Sequence, residues 1–211
     1  MTGMASMLSR LYLIRHGETA WSISRRHTGR TDIPLTEQGE RDARKLAERL
    51  RAVRFSHVFT SPLQRARRTC ELAGLSEVAE IEPDLVEWDY GDYEGQFSAD
   101  TRKSRPGWSL FRDGGPRGES PTQIADRADR LIARVRALEG NIAIFSHGQL
   151  GRVLATRWIG LPVGQAQHFV LSTASLSILG YEHNLAEESA ILLWNSVPNE
   201  ISGDGNASAA K

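Results

Sequence analysis

Four short segments of this chain carry polar side chains of the kinds that move phosphoryl groups. They are Arg15–His16–Gly17–Glu18–Thr19, Ser61–Pro62–Leu63–Gln64–Arg65–Ala66, the run EWDYGDYEG from Glu87 to Gly95, and Ser146–His147–Gly148–Gln149. Two guanidinium groups and a second imidazole around one neutral imidazole would make a compact cationic pocket for a phosphate dianion. Arginine suits this task because its fork grips two oxygens and it never loses its charge. Glycine after His16 removes side-chain bulk and lets backbone N–H groups approach those oxygens. A neutral imidazole nitrogen can attack phosphorus in line and form a phosphohistidine. The departing alkoxide needs a proton, which Glu87, held protonated in a partly dry cleft, can give before activating water. Positioning and charge stabilisation supply most of the catalysis in such transfers.

Each signal is weak by itself. A strand-end arginine is more often a solvated cap than a ligand. His57 and His168 read as structural histidines, and Arg67 and Arg68 as a solvated helix face. The combination carries more weight, provided the fold unites histidines that lie 147 − 16 = 131 positions apart. An open parallel sheet does this, because the carboxyl ends of its strands share one rim.

The elements around these segments fit such a sheet. Leu8 to Ile14 is a short apolar run, read as a buried strand that ends at Arg15–His16–Gly17. From Thr36 to Val53, apolar Ala43, Leu46, Leu50 and Val53 recur at spacings of three and four, which predicts an amphipathic helix with Thr36 in its cap region. His57 to Thr60 reads as a second strand, and Ser61–Pro62 is expected to open a helix with proline at its first position. Val78 to Ile81 reads as an edge strand closed by Pro83. Between Gly91 and Ser120, Gly and Pro are frequent and periodicity is weak, so a lid-like excursion is expected. Ser120–Pro121 opens the clearest helix, with Ile124, Ala128, Leu131, Val135 and Leu138 on one face and Gly140 as its end. Asn141 to Ser146 is a third strand and leads into a helix reaching Trp158. Leu176 to Tyr181 and Ile191 to Trp194 read as late antiparallel strands.

This order predicts an α/β fold, a three-layer α/β/α sandwich with a mostly parallel central sheet and an antiparallel edge strand. Residues 1–198 are expected as one domain, with the small, polar segment 199–211 as a flexible tail. A chain of 211 residues is long enough for a full core without staples. Its 26 Lys plus Arg balance 26 Asp plus Glu, so no bulk field argues for nucleic acid or an anionic membrane, and any anion site must be local. The one cysteine, Cys70, lies on a helical run with Leu63, Ala66 and Ala73 and reads as a buried apolar residue in a reducing, cytoplasmic setting. No run approaches the length of a spanning helix, and the amino terminus lacks the apolar core of a secretory signal.

LIRHGETAW, followed in order by SPLQRA, the acidic EWDYGDYEG and SHG, resembles the signature of the histidine phosphatase superfamily, which includes the cofactor-dependent phosphoglycerate mutases. The resemblance spans Leu8 to Asn195. It implies His16 as nucleophile, Arg15 and Arg65 as phosphate clamps, His147 as a further phosphate contact and Glu87 as acid and base. It also implies the sandwich fold with neither metal nor cofactor. HTGRTDIPLT, WSLFRDGGPRGES and LGYEHN look like the branch containing fungal sedoheptulose-1,7-bisphosphatase. In that branch Thr28 and Gly29 would line the substrate mouth, with Tyr90 beside Glu87. Ser22 stands where many members have Asn, and Gln149 follows His147–Gly148 where the mutases have Asn; both positions, with Gly148, are expected at the substrate.

The expected activity is hydrolysis of a small phosphate monoester, such as a sugar phosphate or bisphosphate. A phosphoglycerate-type mutase and a non-catalytic phosphate-binding module are the alternatives. A mutase needs a second anion site. Arg102, Lys103, Arg105, Arg112 and Arg117 could form one, but the excursion is short and lacks the paired-arginine, proline-rich insert of the mutases. The expected partner is the small-molecule ester, with no nucleic acid or membrane; an oligomer is left open but not indicated.

Overall fold

The computed structural model describes residues 8–197, so the expected tail at 199–211 lies outside the described residues. Six strands, β1 (Arg10–Arg15), β2 (Phe55–Thr60), β3 (Ala79–Ile81), β4 (Asn141–Ser146), β5 (Leu176–Tyr181) and β6 (Ser189–Ser196), form one sheet in the order β3-β2-β4-β1-β5-β6. The pairs β2–β3, β2–β4 and β1–β4 are parallel, whereas β1–β5 and β5–β6 are antiparallel. The sheet is therefore mostly parallel, and the antiparallel pairing is gathered at its β5–β6 side. The helices are α1 (Ala20–Ser24), α2 (Glu37–Leu50), α3 (Gln64–Leu72), α4 (Ser98–Ser104), α5 (Leu110–Asp113), α6 (Pro121–Arg136) and α7 (Gly148–Trp158).

Strand alternation divides the core between the two faces. Leu11 and Leu13 of β1, with Ile142 and Ile144 of β4, pack against Ile124, Ala128 and Leu131 of α6 and Leu150, Val153 and Leu154 of α7. Tyr12 and Ile14, with Ala143 and Phe145, pack against Leu46 and Leu50 of α2 and Cys70 of α3. Each central strand is buried on both faces, which is why both run as unbroken apolar stretches. Three layers result. Cys70 is buried as expected, and burial pushes its thiol up to about 12.

The helix starts follow local chemistry where the cap is local. Thr36 Oγ1 accepts the Gly39 amide at 3.0 Å ahead of α2. Ser120 and Gln123 form a reciprocal capping box at α6, with Pro121 in its first turn. The expectation of a helix beginning at Pro62 is corrected. The α3 helix begins at Gln64, because its first free amide is taken by Asp32 Oδ1 at 2.8 Å, a carboxylate 32 residues upstream. Residues 91–120, expected as irregular, hold α4, α5 and tight turns. They pack inward through Leu110 and Phe111, which join the α6–α7 core.

Candidate active site

Strand register brings three of the four motif segments to one rim. The His16 amide donates to Ser146 O at 3.0 Å, and the Ser61 amide donates to Phe145 O at 2.9 Å. The ends of β1, β2 and β4 therefore lie side by side, and the His16 and His147 ring centroids are 5.3 Å apart. The remaining segment, 87–95, reaches the same rim through Glu87, whose carboxylate accepts the amides of Gln149 and Leu150 at the start of α7.

His16 is buried, and its Nδ1 lies 2.7 Å from Gly17 O. A carbonyl oxygen can only accept, so Nδ1 carries the proton and Nε2 keeps its lone pair. Burial first, and then the charges of Arg15 and Arg65, hold the His16 pKa well below its usual value. The ring is thus a neutral imidazole with one unprotonated nitrogen.

Arg15 donates Nη1 to Leu171 O, while its buried Nε has no partner among the described residues. An unpartnered buried donor on a guanidinium is costly unless a ligand completes it. Gly148 makes this placement possible, since a Cβ there would stand 3.2 Å from Arg15 Cζ. Arg65 is fully buried on α3 and donates Nη2 to Gly29 O at 2.9 Å, Nη1 to Thr31 O at 2.9 Å and Nε to His147 Nδ1 at 3.1 Å. Three of its five N–H groups are committed to these contacts, and Arg65 is not among the residues that border the cavity beside His16.

The surrounding bonds fix the state of His147 and correct the expectation for Gly17. His147 accepts from Arg65 at Nδ1, so its Nε2 donates to Ser61 Oγ at 2.8 Å. Both ring nitrogens are thereby engaged with Arg65 and Ser61. Burial lowers the His147 pKa strongly, with Arg65 second, as this neutral, bridging state requires. Gly17 does not open space for ligand oxygens. A Cβ on it would lie 2.4 Å from Gly39 O, and its amide donates to Thr69 Oγ1 at 3.0 Å. Glycine is needed here so that the end of β1 can touch the start of α2.

Of the four carboxylates in the third segment, Glu87 is the one that borders the cavity beside His16. Asp89 Oδ1 accepts the Gly91 amide, Asp92 pairs with Arg117, and Glu94 accepts the amides of Gly29 and Thr31. Glu87 Oε1 accepts from the Trp88 amide at 2.8 Å and the Leu150 amide at 2.9 Å, and Oε2 from the Gln149 amide at 2.9 Å. Its carboxyl group thus sits on the first turn of α7. All three bonds are of the kind a carboxylate accepts. The geometry suits the base as directly as the acid.

The cavity has a volume of about 250 Å³. Arg15, His16, Ser22, Thr28, Tyr90, Gly148 and Gln149 border it, whereas Arg65 and His147, both buried, do not. Tyr90 is buried and bonded to the Gln149 side chain, and burial raises its pKa, so its hydroxyl keeps its proton. Ser22 also serves α1, where its Oγ accepts the Thr19 amide at 2.9 Å. Gly29 does not border the cavity. Its amide is bound by Glu94 and its carbonyl by Arg65, and a Cβ would lie 2.5 Å from Trp88 O. It anchors the loop that presents Thr28.

Sequence reasoning missed Arg152, Arg25, Arg26, Trp21 and Trp108, which also border the cavity. Arg152 could have been found, because it lies one turn beyond Gln149 on α7; its Nη1 donates to Gln149 Oε1 at 3.0 Å. Arg26 lies over the Phe97 ring at 4.3 Å, a pairing between distant segments that no local pattern encodes. A larger depression of about 690 Å³ lies against β3, but it includes neither histidine, and its Arg68 is paired with Glu40 and Glu71. The smaller cavity is where the reactive groups converge.

The model for the family "Histidine phosphatase superfamily (branch 1)" matches residues 11–196. The chain is 41% identical over 184 residues to an acid phosphatase of Mycobacterium tuberculosis, covering 84% of this chain and 89% of that protein. It is 38% identical over 192 residues to sedoheptulose 1,7-bisphosphatase of Saccharomyces cerevisiae, covering 76% and 71% respectively. A solved structure of an open reading frame product from Mycobacterium tuberculosis superimposes with a TM-score of 0.84 at 37% identity, over 90% of this chain and 98% of that one.

Proposed function

This chain belongs to the histidine phosphatase superfamily, and on that premise we propose that it hydrolyses a small phosphate monoester, a sugar phosphate or sugar bisphosphate, through a phosphohistidine on His16. The observation that carries the reading is the His16 ring itself. Its Nδ1 is tied to Gly17 O, its Nε2 is unprotonated, and an arginine with an unpartnered buried donor stands next to it.

The reaction runs in two balanced halves. The Nε2 lone pair attacks phosphorus, the P–O ester bond breaks, and the leaving oxygen takes a proton from Glu87. Water then attacks phosphorus, gives a proton to the Glu87 carboxylate, and the P–N bond breaks to release inorganic phosphate. Arg15 and Arg65 balance the charge on the equatorial oxygens. His147 keeps Arg65 in place. Gln149 and Tyr90, bonded to each other, offer polar atoms toward the substrate's hydroxyl side, as do Ser22 and Thr28. The kinship with a sedoheptulose bisphosphatase supports a phosphorylated sugar as the substrate class.

The reading needs no metal. Arginines supply the countercharge, and the group of metal-capable side chains among the described residues, Glu182, His183 and Glu188, is exposed and borders another part of the surface. Turnover of p-nitrophenyl phosphate should persist in EDTA, and alkaline quenching should trap acid-labile, base-stable phosphate that disappears in His16→Ala. Label on serine, or isomerisation of 3-phosphoglycerate in place of phosphate release, overturns this reading.

A further inference from the structure

Glu87 is held from two sides. Its carboxylate rests on the amides of α7, while the backbone flanking it is fixed by a buried ion pair that touches neither His16 nor the cavity. Arg127 on α6 donates Nε to Glu119 Oε1 at 2.9 Å and Nη2 to Glu119 Oε2 at 2.7 Å, a bidentate fork. Its Nη1 donates to the carbonyls of Asp84 and Val86, both at 2.7 Å. Glu119 holds the other flank. Its carbonyl accepts Trp88 Nε1 at 2.7 Å, and its amide donates to Asp89 O at 3.0 Å. The two side chains are 7% and 11% exposed.

A pair buried this deeply adds little net stability, because desolvation offsets most of the Coulomb attraction. What it supplies is direction. Residues 84, 86, 88 and 89 are each bonded to Arg127 or Glu119, which leaves the Glu87 backbone little freedom to rotate. We propose that Arg127 and Glu119 are positioning residues for Glu87, aligning its carboxyl group with the bridging oxygen of the substrate. They act on proton transfer to the leaving group and not on phosphate capture. The inference rests on Glu87 as the acid in the mechanism above.

The readout is leaving-group selectivity, which a merely structural role would not move. A sugar alkoxide needs its proton, whereas nitrophenolate departs without one. Arg127→Lys keeps the charge but cannot make the fork and both carbonyl bonds together. It should lower kcat for a sugar phosphate roughly tenfold to a hundredfold, with less than about a threefold loss for p-nitrophenyl phosphate. Inhibition by inorganic phosphate should stay as in the wild type. In a Glu87→Gln background the Arg127→Lys change should add nothing to the sugar phosphate loss. If Arg127→Lys does not fold, Glu119→Gln, which keeps the shape of the pair, reads the same ratio. Equal losses on both substrates in a background where Glu87→Gln is selective overturn the positioning pair alone. A Glu87→Gln variant without leaving-group selectivity overturns the acid assignment, and the positioning role with it.

Discussion

At the scale of single residues, the site depends on two histidines kept neutral by burial. His16 and His147 both have pKa values held well below the ordinary 6.5. The unfolded chain therefore binds more protons than the folded one in the window below about 6.5, so stability rises with pH there and is lost as pH falls through it. The melting temperature should drop as pH is lowered from 7 to 5, and His16→Gln should flatten that slope; a slope unchanged in the variant would contradict it. Nucleophilic competence follows the same depressed value, so the acid limb of kcat/KM for p-nitrophenyl phosphate should lie below 6.5. At this scale the sequence was legible where a residue's role follows from its type at a strand end. Arg15 and His16 stand at the end of β1, as that reading placed them, whereas Glu87 lies in a loop beyond β3. The inward engagement of His147 could not, because it depends on which of its nitrogens meets Arg65, a contact across 82 positions.

At the scale of elements, the end of β1 and the start of α2 meet through two glycines. A Cβ on Gly17 would lie 2.4 Å from Gly39 O, and one on Gly39 would lie 2.2 Å from Glu18 O. Both obstacles are backbone atoms, which cannot swing aside as a side chain can. Gly17→Ala should therefore destabilise the fold by about 1–3 kcal/mol, measured as a lower urea midpoint, and should also impair turnover because it displaces His16. An unchanged midpoint would mean that the contact is softer than it looks. Elements with strong periodicity and a local cap, such as α6 with Ser120 and Gln123, were readable at their start to within a residue, while the expected end at Gly140 overran the helix, which stops at Arg136. The α3 helix was misread because Asp32, and not a neighbour, receives its first amide. The segment 91–120 was illegible for a related reason: Leu110 and Phe111 are buried by α6 and α7 rather than by any repeating pattern of their own.

At the scale of the whole molecule, a chain with zero formal net charge concentrates positive charge at one opening. Arg15, Arg25, Arg26 and Arg152 border the cavity, and Glu87 is its one carboxylate among the described residues. Such a field should speed capture of a phosphate dianion and be screened by salt. The value of kcat/KM should fall as ionic strength rises from about 0.01 to 0.15 M, and the double variant Arg25→Ala/Arg26→Ala should fall less steeply. A salt slope equal to that of the wild type would remove these arginines from substrate capture. The fold class was legible because strand and helix alternate along the chain, whereas the order of the strands was not. That order has a consequence in time. β1, which leads to His16, lies between β4 and β5, 131 and about 165 residues later in the chain. A ribosome adding roughly 5–20 residues per second releases the strand that leads to His16 several seconds to half a minute before either neighbour exists. Until then β1 has nothing to pair with and needs shelter from other exposed strands. No phosphatase pocket can form on the growing chain before β4 emerges, so synthesis that stops early yields an inert fragment, never a partly active enzyme.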